Sequence, residues 1–358
     1  MRVALLLPYR PSANRGNSTA ALRLARHLEA AGAEVATASL EAAGVPFGPE
    51  GCDQAVRRLG PELGRFRPEV IHALHGYRSG PAGVALARAL GAALVIGLRG
   101  TDVSVDLHDR SRREVMLDAL DAADAIVAFA RFMLEPILAA RPSLASRAHV
   151  VAHGVADAFF AEGERRLESP GTLRFLLPAN LRSIKAPHVV VLGLDPLAAS
   201  RPDLRLMVAG PVIEPEVGRR LAQAAASRPW VTLLGEVPHA EMPALLATAD
   251  VVMNTSIAEG MSNAVLEAMA MGRALLVSDI PAHREIVEPE VSGLLFDVSG
   301  SDGGAADLAR QAARLAEDPA LRARLGRAAR ARAHARHRAR DEAARTLEVY
   351  REALARHG

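Results

Sequence analysis

Two carboxylates flank a small polar loop in the segment VVMNTSIAEGMSNAVLE, residues 251–267. Between Glu259 and Glu267 lies Gly260, which lets the backbone approach a ligand closely. The helix-forming residues that follow would point free N–H groups into this loop and favour an anion there. Carboxylates are poor partners for an anion, so we interpret them as acceptors of hydrogen bonds from hydroxyl groups. The combination predicts a ligand with a phosphate and several hydroxyls, such as a nucleotide-sugar; two solvated helix carboxylates are the alternative.

The same segment predicts the elements that would position these groups. The apolar run that opens it is short enough for a strand buried on both faces, and helical composition begins near Ala264. Either Ser262 or Asn263 would cap the helix through a side-chain oxygen. The predicted site therefore lies between the carboxyl end of a strand and the N-terminus of a helix.

Lys185 is the single lysine among the 43 Lys and Arg residues. A chain that otherwise uses arginine for its cations has kept an ammonium here, which suggests a role that a planar guanidinium does not fill. The residue follows the apolar run 173–177, so a loop would project it over the carboxyl edge of a sheet, where open α/β sheets bind ligands. Chance is the alternative explanation.

The pattern from Glu259-Gly260 to Glu267 resembles the E-x7-E signature of retaining glycosyltransferases with the GT-B architecture, of the family 4 type (glycosyltransferase group 1). The resemblance covers most of the chain. It implies a hexosyltransferase-type enzyme that moves a sugar from a nucleotide-sugar, most simply a UDP-sugar, to an acceptor with retention of configuration. It also implies that neither a metal nor any other cofactor is required.

The resemblance assigns the donor contacts mainly to the second half of the chain. Glu267 would accept hydrogen bonds from the ribose, and Glu259 from the sugar. Lys185 and Arg182 would offset the charge of the leaving diphosphate. Relatives usually carry an arginine five positions before the lysine, where this chain has Asn180, so Arg182 would substitute. The predicted donor-binding residues are Gly16, Asn180, Gly260, Met261, Ser262, Asn263 and Glu267.

Arg15, Gly16 and Asn17 lie in a loop before a helix predicted from about Thr19. By the resemblance, this glycine-containing loop approaches the donor phosphates or the acceptor. For Asn17, a simple turn with Ser18 as the helix cap is the alternative.

Two further polar loops, HALHGYRSGP and GLRGTDVSVD, follow predicted strands and are expected to open on an interdomain cleft. They supply the remaining acceptor or cleft residues: His75, Arg78, Arg99 and Asp102. Relatives commonly have a histidine where this chain has Arg99, which leaves the sugar and the acceptor type open. Arg78 and Arg99 would suit an anionic acceptor through bidentate contacts. Packing at a strand end is the alternative for His75.

Apolar runs alternate with amphipathic stretches along the chain, which predicts parallel α/β sheets. The predicted strands cover residues 3–7, 34–38, 70–73, 94–97, 125–128, 173–177, 204–209, 231–233, 251–254 and 274–277. A length of 358 residues suits two domains. We predict two Rossmann-like doubly wound domains, an acceptor-binding domain at 1–160 and a donor-binding domain at 171–335. By the resemblance, the helix at 336–358 crosses back to the first domain.

No run approaches the roughly 18 apolar residues of a membrane helix. The apolar start is too short for a signal peptide, and the lone Cys52 cannot form an internal disulfide, so we expect a cytoplasmic protein. Net charge is +2, and the C-terminal arginines alternate with alanine without interleaved aromatic residues for stacking, which argues against nucleic-acid binding. Contact with an anionic membrane surface stays open.

The absence of a Cys pair, an H-E-x-x-H or a D-x-D motif predicts that there is no metal site.

Two other functions stay open. The opening PYRPSANRGNSTAALRLARHL, with LHGYRS and RGTD, is similar to the selenosugar synthases, which join a sugar to selenophosphate. A selenosugar or thiosugar synthase with a similar anionic acceptor is therefore one alternative. The other is a non-catalytic protein that binds a nucleotide-sugar, although the combination of Lys185, Glu259 and Glu267 speaks against it.

Overall fold

The computed structural model describes residues 1–11, 16–161 and 171–358. The chain divides into two compact units. The first comprises residues 1–154 and 338–358, and the second comprises residues 155–337. No helix within the described ranges is both long and apolar enough to cross a bilayer.

The first unit contains a six-stranded parallel sheet flanked by helices. Its strands are β1 Arg2–Leu7, β2 Glu34–Ser39, β3 Val70–Ala73, β4 Ala93–Gly97, β5 Ala125–Ala128 and β6 Ala148–Val150. The helices between them are α1 Gly16–Ala30, α2 Cys52–Phe66, α3 Gly80–Leu90, α4 Thr101–Ser104, α5 Arg110–Asp121 and α6 Arg131–Ala140. The strands lie in the order β2-β1-β3-β4-β5-β6.

The second unit repeats this plan. Its strands are β7 Leu173–Pro178, β8 Leu204–Ala209, β9 Val231–Gly235, β10 Val251–Asn254, β11 Ala274–Ser278 and β12 Leu294–Phe296, in the order β12-β11-β10-β7-β8-β9. Its helices are α7 Pro187–Ser200, α8 Pro215–Ala226, α9 Met242–Thr248, α10 Asn263–Ala270, α11 Pro281–Ile286, α12 Ala305–Glu317 and α13 Pro319–Arg336. The last helix of the chain, α14 Ala339–His357, belongs to the first unit.

The central strands explain why both sheets are parallel. Every residue of β4 and β5 in the first sheet, and of β10 and β11 in the second, is buried. A strand that is apolar on both faces needs helices above and below it, which right-handed β-α-β crossovers provide. The predicted fold class, two doubly wound parallel sheets, is confirmed.

Helix α14 completes the core of the first unit. It packs against α1, β4 and β5. Tyr350 on this helix is fully buried, and its hydroxyl lies 2.8 Å from Nδ1 of His72 on β3. Burial lowers the pKa of His72 to about 3, so the imidazole is neutral. The predicted crossing of the last helix back to the first domain is therefore confirmed.

A buried ionic cluster also ties α14 to α1; we call it the Glu342 cluster and define it as Arg23, His153 and Glu342. Oε2 of Glu342 accepts from Nη2 of Arg23 at 3.0 Å and from the backbone N–H of Gly154 at 3.0 Å. Nδ1 of His153 lies 3.3 Å from the other carboxylate oxygen. Burial alone would raise the pKa of Glu342, but the Arg23 guanidinium and the contact with His153 outweigh it, so the pKa lies well below its ordinary value.

Strand positions agree with the predictions except at two short strands. The three-residue strands β6 and β12 were not predicted. Three residues are too few to show a period, and β6 includes a histidine and is only partly buried. Helix α1 begins at Gly16, earlier than the predicted start near Thr19.

The Glu342 cluster predicts a stability difference that depends on pH. Glu342→Gln leaves the buried Arg23 without its charged partner and should destabilise the protein by about 3–5 kcal/mol at neutral pH. The folded pKa of Glu342 is depressed, so its contribution is complete above about pH 4.5, the unfolded value, and is lost as the pH falls below it. We therefore expect the difference in Tm between wild type and Glu342→Gln to be largest near pH 7 and to narrow towards pH 3.5.

The matched control is Glu348→Gln on the same helix. Glu348 is 57% exposed and pairs with Arg345 at 3.8 Å, so its replacement should change stability by less than about 1 kcal/mol. Equal effects of the two substitutions at neutral pH would contradict the assignment.

Candidate functional site

The predicted strand, loop and helix around the two glutamates are present. Strand β10 ends at Asn254, and helix α10 begins at Asn263. Ser262 is the N-cap: its Oγ accepts from the Val265 N–H at 3.4 Å and from the Asn254 side-chain amide at 2.9 Å. Of the two predicted caps, the structure selects Ser262. The first turn of α10 is thus fixed to the end of β10.

Lys185 and Glu259 are brought together although 74 positions separate them. Lys185 ends a 3₁₀ turn, Ser183–Lys185, that follows strand β7, and its Nζ donates to Oε1 of Glu259. Strands β7 and β10 are neighbours, so their following loops meet at one edge of the sheet. The hydroxyl of Thr255 donates to the backbone carbonyl of Lys185 at 2.8 Å, which joins the two loops a second time.

The described surroundings of Glu259 keep its carboxylate ionised and engage one of its two oxygens. Ser256 Oγ donates to the same Oε1 at 2.8 Å, and the side chain is only 10% exposed. Burial alone would raise the pKa of Glu259, but the Lys185 ammonium outweighs it and the pKa lies below its usual range. No residue in the described ranges donates to Oε2. That oxygen can accept a hydrogen bond from a ligand hydroxyl.

Glu267 shows the same arrangement one turn into α10. Its Oε1 lies 2.8 Å from Nε2 of His239, and its side chain is 10% exposed. The His239 ring in turn lies 5.4 Å from the ring of Phe159. As with Glu259, the other carboxylate oxygen has no donor among the residues that the structure describes. His239 and Ser256 were not predicted, because nothing in their spacing distinguishes them before the loops are brought together.

The other predicted donor residues lie around this pair. Gly260 and Met261 are half-buried in the loop before Ser262, and Asn263 opens the helix. Asn180 is half-buried in the loop after β7. That loop is packed tightly against Gly210, where an added Cβ would lie 2.0 Å from the carbonyl oxygen of Ala179. Arg182 precedes the 3₁₀ turn and is exposed.

In the first unit, His75 and Asp102, two of the predicted acceptor residues, contact each other. His75 and Asp102 are fully buried, and Nδ1 of His75 lies 2.9 Å from Oδ1 of Asp102. Asp102 also accepts from the backbone N–H of Gly76 at 2.6 Å and of Arg99 at 2.5 Å. These contacts fix the loops after β3 and β4 to each other, and the prediction that His75 and Asp102 contact a ligand stays a prediction.

The two arginines of these loops differ in exposure. Arg78 is half-buried, with its guanidinium 5.4 Å from the centre of the Tyr9 ring. Arg99 is 8% exposed and stacks on Phe129 at 4.8 Å. Gly16 and Asn17 form the first turn of α1, and Arg15 lies outside the described residues.

His75, Asp102 and Asp106 have donor atoms within 4.8 Å of one another, as a metal site would require. The two carboxylates, however, approach opposite ring nitrogens: Asp102 lies at Nδ1, whereas Asp106 lies 3.8 Å from Nε2. One ion can bind only one of these nitrogens. Nε2 is also 2.8 Å from the Thr101 hydroxyl. The geometry therefore favours a hydrogen-bonded histidine between two carboxylates.

Comparison with known proteins shows which family this site is similar to. Residues 162–332 match the family described as Glycosyl transferases group 1. A relative from Xenopus tropicalis, "Glycosyltransferase 1 domain-containing protein 1", is 27% identical over 322 residues, which is 87% of each chain. Residues 162–332 are thus similar to the glycosyl transferases group 1 family, and they include Lys185, Glu259 and Glu267.

Solved structures establish the fold. Sucrose-phosphate synthase from Thermosynechococcus elongatus is similar with a TM-score of 0.83 over 99% of each chain, at 20% identity. Anabaena HepE, solved in complex with UDP and glucose, is similar with a TM-score of 0.77 over 97% of this chain and 98% of that one, at 19% identity. The predicted GT-B fold is confirmed.

The ion pair of Lys185 and Glu259 makes a prediction about stability. Lys185→Met leaves the carboxylate of Glu259 buried without its cation and should destabilise the second unit by about 3–5 kcal/mol. Lys185→Met combined with Glu259→Gln removes both charges and should destabilise less than Lys185→Met alone. Chemical denaturation of wild type, the single variants and the double variant measures this coupling.

Arg182→Met is the control, because it removes a cation just before the 3₁₀ turn that contains Lys185. Arg182 is exposed, so the substitution should change stability by no more than about 0.5 kcal/mol. Strictly additive effects at Lys185 and Glu259 would show that the two side chains do not interact in solution.

Proposed function

We propose that the protein is a metal-independent retaining glycosyltransferase that uses a UDP-sugar. The observation that carries this proposal is the pair of anchored carboxylates beside the N-terminus of α10. Glu259 is fixed by Lys185, and Glu267 lies against His239. Each keeps one oxygen without a donor in the described ranges. The presence of UDP and glucose in the similar structure of HepE supports a UDP-sugar as the donor.

The two anchored carboxylates suit different hydroxyl groups of one ligand. Glu267 would accept from the ribose hydroxyls, and Oε2 of Glu259 would accept from the sugar hydroxyls. A carboxylate that is already ionised and oriented makes charge-assisted hydrogen bonds without reorganisation when the ligand arrives. The free N–H groups at the start of α10 favour a diphosphate between these two contacts.

Lys185 would stabilise the leaving group. Its ammonium has three donors, and the contact with Glu259 uses one of them. The remaining donors can bind diphosphate oxygens as negative charge develops on them. Because the ammonium is tied to Glu259, the sugar and the diphosphate would be positioned by one fixed pair. Arg182, exposed beside the same turn, is a secondary candidate for the same charge.

Retention follows from transfer on one face of the sugar. The bond between the anomeric carbon and the diphosphate oxygen breaks, and the acceptor oxygen forms a bond to the same carbon on the same face. The acceptor proton passes to the departing diphosphate, so no protein carboxylate is needed as a nucleophile. We assign both glutamates to contacts with ligand hydroxyl groups and neither to nucleophilic attack.

Donor binding is tested by thermal stabilisation with UDP-, GDP- and ADP-sugars, with magnesium and with EDTA. A ligand that binds only the native protein raises its stability by RT ln(1 + [L]/Kd). We expect a shift with a UDP-sugar that is the same in magnesium and EDTA and is lost in Glu267→Ala. Glu216→Ala on exposed α8 should retain it. A shift that requires magnesium would contradict metal independence, and the absence of a shift with every nucleotide-sugar would contradict the proposal.

Catalysis is tested by Lys185→Ala. Removing a donor that stabilises charge in the transition state typically lowers turnover by about 10²–10³-fold. We expect a loss of this size in nucleotide-sugar turnover, including slow hydrolysis of the donor, while UDP still binds. Arg219→Ala, an exposed cation on α8, should leave turnover unchanged. Turnover of Lys185→Ala at the wild-type level would remove Lys185 from the mechanism.

A further inference from the structure

Arg99 is a buried cation whose hydrogen-bonding capacity is unused. The residue is 8% exposed, and its guanidinium stacks on the Phe129 ring at 4.8 Å. In the ranges described, no side chain or carbonyl accepts a hydrogen bond from the guanidinium. A guanidinium carries five N–H donors in a planar fork. None of these nitrogens is among the fully buried side-chain atoms without a partner, so the edge of the guanidinium stays open to a ligand.

In the described ranges, the nearby carboxylates of Glu342 and Asp102 accept no hydrogen bond from the Arg99 guanidinium. Glu342 influences the charge of Arg99, but its oxygens bind Arg23, His153 and the Gly154 N–H. Asp102 is bound to His75 and to two backbone N–H groups. Burial consequently dominates, and it lowers the pKa of Arg99 to about 10. The guanidinium stays charged at neutral pH while its donors lack an anionic acceptor.

Contacts within the first unit fix the position of Arg99 before any ligand binds. Its backbone N–H donates to Oδ2 of Asp102 at 2.5 Å, and Gly100 follows with φ 111, a conformation that favours glycine. Phe129 directly follows β5, and Arg99 follows the neighbouring strand β4. Both side chains thus lie at the carboxyl edge of the first sheet, where such sheets bind ligands. A fixed guanidinium there matches the geometry of an oxyanion such as phosphate or carboxylate.

We propose that Arg99 anchors an oxyanion-binding site in the first unit, and that this site takes the phosphate or carboxylate group of the acceptor. Phe129 holds the face of the guanidinium, which leaves its edge for two parallel hydrogen bonds to one oxyanion. The assignment to the acceptor rests on the proposed glycosyltransferase function. The binding of an oxyanion does not.

The test is phosphate binding by the full chain with the donor site filled. Inorganic phosphate is titrated in the presence of saturating UDP, with ionic strength held constant by chloride so that general screening does not change. We expect phosphate to raise the Tm of wild type beyond the UDP value. Arg99→Gln should lose this phosphate-dependent rise and keep the rise caused by UDP. Arg57→Gln, an exposed arginine on α2, should keep both.

Arg99→Lys covers the case in which the neutral variant does not fold. It keeps the charge and its contact with the aromatic ring but lacks the planar fork, so phosphate should bind about tenfold more weakly, a loss of about 1.4 kcal/mol. Wild-type phosphate affinity in Arg99→Lys or Arg99→Gln would overturn the proposal. A wild-type protein whose Tm does not respond to phosphate would overturn it as well.

Two further arms identify the source of the oxyanion. Titration with acetate in place of phosphate compares a carboxylate with a phosphate at the same site. Slower hydrolysis by Arg99→Gln that is limited to a donor carrying a carboxylate, such as UDP-glucuronate, would overturn the assignment of the oxyanion to the acceptor. If UDP stabilises none of the proteins, the proposed function fails, and the phosphate titration still decides the oxyanion site.

Discussion

The ion pair between Lys185 and Glu259 is the interaction on which the candidate site of the second unit depends. It connects the loops after β7 and β10, two neighbouring strands, at the edge where the sheet exposes its carboxyl ends. Opposite charges with little exposure to water attract strongly, so the pair holds both loops and keeps the carboxylate ionised. The cap of α10 at Ser262 and the orientation of Glu259 follow from the same local geometry.

The first unit fixes its loops by a different contact. Asp102 accepts from backbone N–H groups of the loops after β3 and β4, and its Oδ1 lies 2.9 Å from Nδ1 of His75. Among the described residues, the charged groups that keep unused hydrogen-bonding capacity are therefore anionic in the second unit and cationic in the first. In the second unit, we propose that carboxylate oxygens bind hydroxyl groups. In the first, we propose that a guanidinium binds an oxyanion. Two sheets of similar topology thus present complementary chemistry at their edges.

The sequence was sufficient to predict whatever depends on a local pattern. The buried strands and a helix cap at Ser262 or Asn263 follow from short-range composition, and Lys185 stands out because it is the single lysine of the chain. The strands β6 and β12 were missed because three residues carry no periodicity. The backbone hydrogen bonds of Asp102 could not be predicted, because the sequence alone does not distinguish a carboxylate that binds backbone N–H groups from one that binds a ligand. Partners such as His239 for Glu267, 28 positions apart, are set by how the loops come together.

Helix α14 has a consequence for how the polypeptide is made. The hydroxyl of Tyr350 meets His72 across 278 positions of sequence, and the Arg23–Glu342 contact spans 319. During synthesis from the N-terminus, β1 to β6 leave the ribosome long before the helix that covers them. Residues 155–337, a contiguous stretch, can collapse while the earlier sheet still lacks one of its covering helices. The first unit is thus synthesised first but completes its fold last, when α14 packs onto it. Until then, the apolar surface that α14 will bury is exposed to chaperones and to other nascent chains.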